Sequence, residues 1–129
     1  MNGMKTRSRK GAELRGRWAE ALAAWRLRLK GYRIVARRFR VTQGEVDLVA
    51  RRGRVLAMVE VKARADEQSA AESLQRRQRQ RIERAALAFL QRHPEFAALR
   101  LRFDMMLIVP RRWPRHIIDA WRPAGGGSI

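Results

Sequence analysis

The sequence predicts a single α/β domain in which helices pack on one mixed β-sheet. Three observations support this fold class. The elements follow the order helix, three strands, helix, two strands; the strand segments are rich in Val and Leu; and 129 residues suit one domain with short tails. A chain of this length buries enough apolar surface to fold without disulfide bonds or a structural metal.

Two segments have the apolar spacing of helices. The first helix is predicted over residues 12–30 and ends at Gly31, a residue common after helix C-termini. Its apolar positions recur at i, i+4, i+7 and i+11 and should face the core: Trp18, Leu22, Trp25 and Leu29. The second helix is predicted over residues 70–92, before His93-Pro94. Its inner face should carry Leu74, Ile82, Ala85, Ala86 and Phe89.

Five segments have the composition and length of strands. They are 32–41, 43–51, 55–63, 99–109 and 116–121. Flanking them, we expect a flexible basic arm and a flexible tail around one domain, with boundaries at 1–10, 11–122 and 123–129.

The net charge of +18 indicates the kind of partner rather than the fold. A polyanion is the natural partner of such a chain, and DNA is the one we predict. An anionic membrane surface and an arginine-rich codon bias are the alternatives. The absence of cysteine and the presence of only two histidines exclude thiolate and multi-histidine metal sites. No secretory signal or membrane-spanning run is evident, which predicts a cytoplasmic protein.

The segment GEVDLVARRGRVLAMVEVKA predicts a hairpin that gathers polar side chains. If Gly53 and Arg54 form a two-residue turn, paired residue numbers add to 107, which sets Asp47 opposite Glu60. By the same register Glu45 faces Lys62, and all four side chains should share one face of the hairpin. The opposite face should be apolar: Val46, Leu48, Ala57, Val59 and Val61.

Two opposed carboxylates about 5 Å apart repel each other by about 3 kcal/mol at an effective dielectric constant of about 20. A divalent cation offsets this repulsion, because Mg²⁺ is commonly held by one or two carboxylates plus water and phosphate oxygens. Lys62 lies on the same face as Glu60 and could orient a water molecule that attacks phosphorus. The alternative is a solvated strand face whose carboxylates pair with arginines.

With these residues in view, GEVDLVARRGRVLAMVEVKAR resembles the D-x(n)-E-x-K signature of the restriction-endonuclease-like PD-(D/E)xK nucleases. More narrowly, residues 12–121 resemble the bacterial YraN-like family of uncharacterised proteins, which is similar to archaeal Holliday-junction resolvases. The matching pieces are GRWAEALA, GYRIVARRFR, GEVDLVA, VEVKAR, RAALAFL and RFD. The resemblance implies a restriction-endonuclease-like αβββαβ core, with a mixed central sheet flanked by helices.

The resemblance also implies roles for individual residues. Asp47 and Glu60 would bind Mg²⁺ or Mn²⁺ with the main-chain carbonyl of Val61; Lys62 would be the catalytic lysine, and Glu20 an additional acidic group from the first helix. Three positions depart from the family pattern, in which glycine, asparagine and lysine are usual. They are Ala19, Arg38 and Gln78.

Other side chains are candidates for nucleic-acid contact. Arg77, Arg81 and Arg84 recur at i, i+4 and i+7, a spacing that can follow a phosphate backbone or form a solvated face. Trp113 could stack on a base or pack at an edge, as could Trp121. Asp104 is interpreted as structural, paired with an arginine, and no chemistry is assigned to the histidines.

The function predicted from the sequence is metal-dependent hydrolysis of phosphodiester bonds in DNA, with branched or otherwise structured DNA as the expected substrate. A homodimer is a possibility, as in junction-cutting relatives. A non-catalytic nucleic-acid-binding protein that keeps the nuclease fold is the first alternative. A nucleotide- or partner-binding protein is the second.

Overall fold

The computed structural model describes residues 2–124 of the chain, and side chains from Gly16 onward. Helices and strands follow the predicted alternation, apart from a break in the second helical segment. In chain order the elements are α1 Asn2–Leu29, β1 Arg33–Val41, β2 Gly44–Arg52, β3 Val55–Ala63, α2 Glu67–Glu72, α3 Arg76–Arg92, a 3-10 turn Pro94–Phe96, β4 Arg100–Ile108 and β5 Arg115–Trp121.

The strands form one mixed sheet in the order β1-β2-β3-β4-β5. Neighbours pair antiparallel except β3 and β4, which are parallel. A parallel pair needs a long crossover, and the segment with α2 and α3 supplies it. The α/β class and the mixed sheet flanked by helices are confirmed, and the element order is consistent with a restriction-endonuclease-like core.

Both faces of the sheet are covered. One buried cluster lies between the sheet and α3 and includes Val49, Met58, Ile82 and Phe89. The other lies beneath α1 and includes Ala23, Ala24, Leu27, Leu48 and Val59. A sheet buried on both sides needs apolar residues at successive strand positions, which explains the burial of the whole central part of β3.

The register of the β2–β3 hairpin agrees with the sequence prediction. Pairing runs from Arg52–Val55 at the turn to Leu48–Val59, so the paired numbers add to 107. Gly53 has a φ of +59°, which a glycine adopts without a steric penalty.

The prediction that the hairpin has one polar face and one apolar face is wrong. Val49, Leu56 and Met58 extend the supposedly polar face into the α3 cluster, and Val46 joins the same cluster. Asp47, Glu60 and Lys62 therefore lie at the end of the hairpin distant from the turn, and arginines occupy the turn end. The helices on both sides of the sheet are the reason.

The predicted core seam of α1 is also wrong. Trp18, Trp25 and Leu29 are 69%, 42% and 58% exposed, whereas α1 rests on the sheet through small residues and Leu27. The small residues are Ala19, Ala23 and Ala24. A helix of 3.6 residues per turn has room for two apolar stripes, and the alanine stripe allows the closer approach to the sheet.

The second predicted helix, over residues 70–92, divides into α2 and α3. Asp66 caps the start of α2 by accepting a hydrogen bond from the Ser69 amide at 2.7 Å. The hydroxyl of Ser73 donates to the Ala70 carbonyl at 2.7 Å, a local bond that competes with helix continuation. Leu74 is buried, as predicted, but in the connection between the two helices.

The ends of the chain also bear on the predicted boundaries. Helix α1 begins at Asn2, so it includes residues 2–10 of the predicted arm, whose flexibility stays a prediction. Residues 125–129 of the predicted tail lie outside the described residues. Among the described helices, none has a stretch long and apolar enough to cross a membrane.

A buried polar network joins β4, β5 and the end of α1. Asp104 is fully buried and accepts hydrogen bonds from Arg102 at 2.8 and 2.7 Å and from the Asp119 amide at 2.9 Å. His116 Nε2 lies 2.7 Å from the same carboxylate, and its Nδ1 lies 2.6 Å from Lys30 Nζ. The predicted pairing of Asp104 with an arginine is thus confirmed. Burial acts to raise the pKa of Asp104, but the bonds from His116 and Arg102 outweigh it and hold that pKa below its usual range.

Candidate metal and catalytic site

The candidate site lies where β2 and β3 separate, at the end of the hairpin opposite the turn. Beyond the Leu48–Val59 pair, the Asp47 carboxylate Oδ2 accepts a hydrogen bond from the Val61 amide at 2.8 Å. The Asp47 side chain thus takes the place that a strand carbonyl would occupy. This contact holds one carboxylate oxygen between the two strands.

Glu60 is buried, with 5% of its surface exposed, and three polar side chains surround its carboxyl group. Gln78 Nε2 donates to Oε2 at 2.8 Å, and Lys62 Nζ lies 3.2 Å from the same oxygen. The Asp47 carboxyl group adjoins the carboxyl group of Glu60. Burial, the hydrogen bond with Asp47 and the Asp47 charge together raise the pKa of Glu60 to about 9, although Lys62 acts in the opposite direction.

Lys62 is buried as well, with 7% of its surface exposed. Lysines are seldom buried without a partner, and here Glu60 provides one. Glu60 and Lys62 lie two positions apart on β3, so period-two alternation brings them to the same face as Met58 in the α3 cluster. Asp47, Glu60 and Lys62 therefore come together as the sequence predicts; their chemical roles stay predictions.

Glu45 does not join this group. It was expected opposite Lys62, but its carboxylate lies 3.1 Å from Arg40 Nε on the neighbouring strand β1, and both side chains are exposed. The strands separate before the hairpin register reaches Glu45, which leaves it paired with Arg40 in the β1–β2 register.

Glu20 reaches the site from α1 and lines the same groove as Asp47 and Val61. Its carboxylate is held by Arg38, with Nε at 3.0 and 2.7 Å from the two oxygens and a second guanidinium nitrogen at 2.6 Å. Arg38 itself has a φ of +51°, in the left-handed region. An arginine has a steric cost in this region that asparagine largely avoids.

The carboxyl groups of Asp47 and Glu60 fit a hard divalent cation. Burial and the adjacent Asp47 raise the pKa of Glu60, and a bound cation would offset the repulsion between the two carboxyl groups. Oxygen donors of this kind match Mg²⁺ and Mn²⁺, with water and phosphate completing the coordination. Within residues 2–124, no three His, Cys, Asp or Glu side chains are grouped to hold an ion. Coordination by the Val61 carbonyl stays a prediction.

The arginine stripe lies beside this site on α3. Arg77, Arg81 and Arg84 are all exposed, and Gln78 of the same helix contacts Glu60. The position of α3 depends on Gly44, since a Cβ at Gly44 would lie 1.8 Å from the Arg81 carbonyl oxygen. The exposure of the stripe is compatible with phosphate contact, which stays a prediction.

Sequence reasoning missed three residues that shape the site. Arg38 and Gln78 stand out in the sequence only as departures from the resemblance, yet each binds a candidate carboxylate. Gly44 received no role, although a glycine at the start of a strand often marks a close backbone approach. The contacts of Arg38 and Gln78 join residues that are distant in sequence, so local patterns could not have identified them.

Comparison with known proteins agrees with the YraN-like resemblance. The sequence model of the Uncharacterised protein family UPF0102 matches residues 19–108. A UPF0102 protein of Parvibaculum lavamentivorans is 65% identical over 105 residues, which cover 81% of this chain and 79% of the relative. A UPF0102 protein of Paramagnetospirillum magneticum is 57% identical over 121 residues, covering 91% and 94%.

A third relative, a UPF0102 protein of Methylobacterium nodulans, is 51% identical over 115 residues, covering 89% of each chain. The matched region runs from the residue before Glu20 to the end of β4 and contains Asp47, Glu60 and Lys62. The chain therefore belongs to the uncharacterised protein family UPF0102.

Proposed function

We propose that this protein is a divalent-metal-dependent nuclease that hydrolyses phosphodiester bonds of branched or otherwise structured DNA. The observation that carries the proposal is the half-buried Asp47 beside the buried Glu60, with Lys62 Nζ 3.2 Å from Glu60. The two carboxyl groups supply oxygen ligands for a divalent cation. The Lys62 ammonium, at the same open end of the hairpin, supplies a positive charge for a phosphate.

In this proposal Asp47 and Glu60 hold Mg²⁺ or Mn²⁺, and Gln78 fixes the orientation of Glu60 by its 2.8 Å hydrogen bond. When bound, such a cation polarises a phosphoryl oxygen and lowers the pKa of nearby water. Glu20 assists only after its carboxylate leaves Arg38. Glu20 therefore stays paired with Arg38, next to Asp47 in the groove, until that ion pair breaks.

Lys62 supports the hydrolytic step itself. A water oxygen attacks phosphorus, and the bond from phosphorus to the leaving oxygen breaks. The attacking water loses a proton to solvent, and the leaving oxygen takes up a proton from solvent. The Lys62 ammonium donates hydrogen bonds to the attacking water or to a non-bridging oxygen, where negative charge increases during the reaction. A lysine performs this role as a compact point charge, which the planar guanidinium of arginine does not reproduce.

The DNA backbone is held by the positive surface of the chain in this proposal. The net charge of +18 supplies long-range attraction, and Arg77, Arg81 and Arg84 follow phosphates beside the site. The proposal also includes a cytoplasmic location. It includes a homodimer as well, because a branched substrate offers two equivalent strands to two copies of the site.

A cleavage assay on matched variants tests the proposal. Linear, flapped and four-way DNA are incubated with Mn²⁺ or Mg²⁺, and we expect wild-type cleavage that Lys62→Ala lowers by about 10²–10³, with DNA affinity retained. Lys62→Arg should restore little activity. Arg54→Ala, which removes an exposed cation at the opposite end of the hairpin, is the control and should cleave normally.

Thermal unfolding with added cation provides the second arm of this test. Divalent metal should raise the unfolding temperature of the wild type and leave that of Asp47→Asn unchanged. A wild type that cleaves none of the substrates, or a Lys62→Ala variant whose affinity falls as far as its rate, overturns the assignment.

A non-catalytic nucleic-acid-binding protein is the second candidate function. Arg38 engages both Glu20 oxygens, and Gln78 stands in contact with Glu60 at the usual lysine position. Both contacts occupy acidic groups that a nuclease would use. DNA binding without a metal response and without cleavage would favour this candidate.

A further inference from the structure

The solvent side of α1 carries an apolar stripe next to the candidate site. Trp18 and Leu29 are exposed, as is Trp25, whose ring stacks on Trp113 with centroids 5.3 Å apart and planes 11° apart. Trp113 is itself 68% exposed, so this pair of rings remains open to solvent. Large aromatic groups left exposed in this number mark a binding surface rather than ordinary surface composition.

The stripe is continuous with the site. A groove of about 900 Å³ extends from Asp47 and Val61 to Trp18, and the loop 109–114 forms its other wall. Arg26 Nε donates to the Pro114 carbonyl at 3.3 Å, which together with the Trp25–Trp113 stack ties that loop to α1. Trp18 therefore lies in a supported groove that begins at Glu20 and Asp47.

The charge around the groove identifies its occupant. Arg64, Arg111 and Arg112 line it and are exposed, and the exposed Arg17 and Arg28 flank the stripe on α1. A second copy of the chain, docked helix to helix, would bring arginines of one copy close to arginines of the other. A polyanion with flat apolar groups meets both features, because phosphates match the arginines and bases match the indole rings.

We propose that this groove binds a single-stranded segment of nucleic acid, with an unpaired base stacked on Trp18 and its phosphates on the surrounding arginines. The inference rests on the proposed function and names the part of a branched substrate that the site recognises, which is an unpaired strand rather than the intact duplex. Duplex bases are already stacked on one another and have no free face for Trp18.

Equilibrium binding without divalent metal tests this proposal independently of cleavage. The probes are a short oligothymidine, an abasic strand of equal length and a duplex. We expect Trp18→Ala to lower oligothymidine affinity by about tenfold, within the range for loss of one stacked base, and to leave the abasic and duplex affinities unchanged. Trp18→Phe should retain most of the affinity.

Leu87→Ala, at an exposed apolar residue of α3, is the matched control and should bind like the wild type. Equal losses on all three probes, or no loss on any, would overturn the proposal. So would a change in sedimentation mass on Trp18→Ala, because that result assigns the stripe to a second copy. If Trp18→Ala lowers only the oligothymidine affinity and the wild type cleaves no substrate, the groove proposal is supported and the nuclease proposal is contradicted. If the wild type cleaves DNA but Trp18→Ala causes no selective loss of affinity, the nuclease proposal is supported and the groove proposal is contradicted.

Discussion

At the scale of single residues, the site depends on how two neighbours, Asp47 and Lys62, affect the protonation of Glu60. Asp47 favours the protonated form of Glu60, and Lys62 favours the ionised form. The pKa of Glu60 is raised overall, because burial and Asp47 together outweigh the effect of Lys62. A cation must therefore displace that proton, so its apparent affinity should increase with pH.

Glu60→Gln tests this balance through stability. The folded protein holds a proton on Glu60 up to a pH of about 9, whereas the unfolded chain releases it near 4.5. The associated stability is fully present below about 4.5 and is lost as the pH rises towards about 9. Without metal, Glu60→Gln should lose less stability than the wild type over that interval. Thermal unfolding across the range measures it, and Glu45→Gln, on an exposed carboxylate, is the control. Identical pH profiles for wild type and Glu60→Gln would contradict the pKa assignment.

Asp104→Ala should be much more damaging than the loss of an exposed carboxylate. The substitution leaves Arg102 and His116 without their buried partner, and breaking such a pair costs about 3–5 kcal/mol of unfolding free energy. Denaturant titration measures the loss. Asp66→Ala, which removes only an exposed helix cap, should cost much less unfolding free energy than Asp104→Ala. Comparable losses for the two variants would show that the network contributes little.

At the scale of elements, the contact between α3 and β2 aligns the site. Gly44 lets the backbone of α3 approach the start of β2, and from there Gln78 reaches Glu60. The same approach sets the arginine stripe beside the carboxyl groups. A small displacement of α3 would therefore alter both the orientation of Glu60 and the position of the stripe.

Gly44→Ala should displace α3, because the added methyl group would lie 1.8 Å from the Arg81 carbonyl oxygen. Overpacking of this kind costs about 3 kcal/mol, at the upper end of its usual range. Gly16→Ala adds a methyl group with nothing within 4 Å and should leave stability equal or higher. Denaturant unfolding of both variants provides the comparison, and a Gly44→Ala protein as stable as the wild type would be inconsistent with the close approach.

The elements also show what local patterns can and cannot predict. Alternation and turn chemistry were sufficient for the five strands and for the Asp47–Glu60 proximity, because a two-residue turn determines register. The apolar face of α1 was misassigned, since the helix has an alanine stripe and a tryptophan stripe, and periodicity detects both. The contacts of Arg38 and Gln78 depend on tertiary packing and have no local signature.

At the scale of the whole molecule, thirty basic residues oppose twelve acidic ones, and much of the acidic set is already engaged. Glu20, Glu60 and Asp104 each have a cationic partner within the described residues. Most arginines of the sheet edges and helices therefore face solvent, where their charge acts on approaching polyanions. Sequence composition was sufficient to predict this positive electrostatic field, but it did not predict where on the surface the field is strongest.

Binding to duplex DNA should therefore be strongly salt-dependent, with a contribution that can be assigned to α3. Replacing Arg77, Arg81 and Arg84 by alanine should reduce the slope of log K against log salt by up to about 2.7, at about 0.9 for each phosphate contact. Binding titrations at several salt concentrations measure the slope. Alanine at the exposed residues Arg33, Arg37 and Arg54 removes the same charge elsewhere and should reduce it less. Equal reductions of the slope by the two triple variants would indicate that DNA has no preferred position on the positive surface.

The hydrogen bond from the Val61 amide to Asp47 has a consequence for how an intact motif is understood. One carboxylate oxygen closes the sheet at the point where the strands separate, so selection for folding alone would preserve Asp47 in a chain that had lost all catalysis. The presence of Asp47 is therefore weak evidence of catalytic activity. Lys62 is the more informative position, because a buried ammonium stabilises the fold poorly compared with an apolar residue and is retained at a cost. Descendants that abandoned the chemistry should lose the lysine first and keep the aspartate.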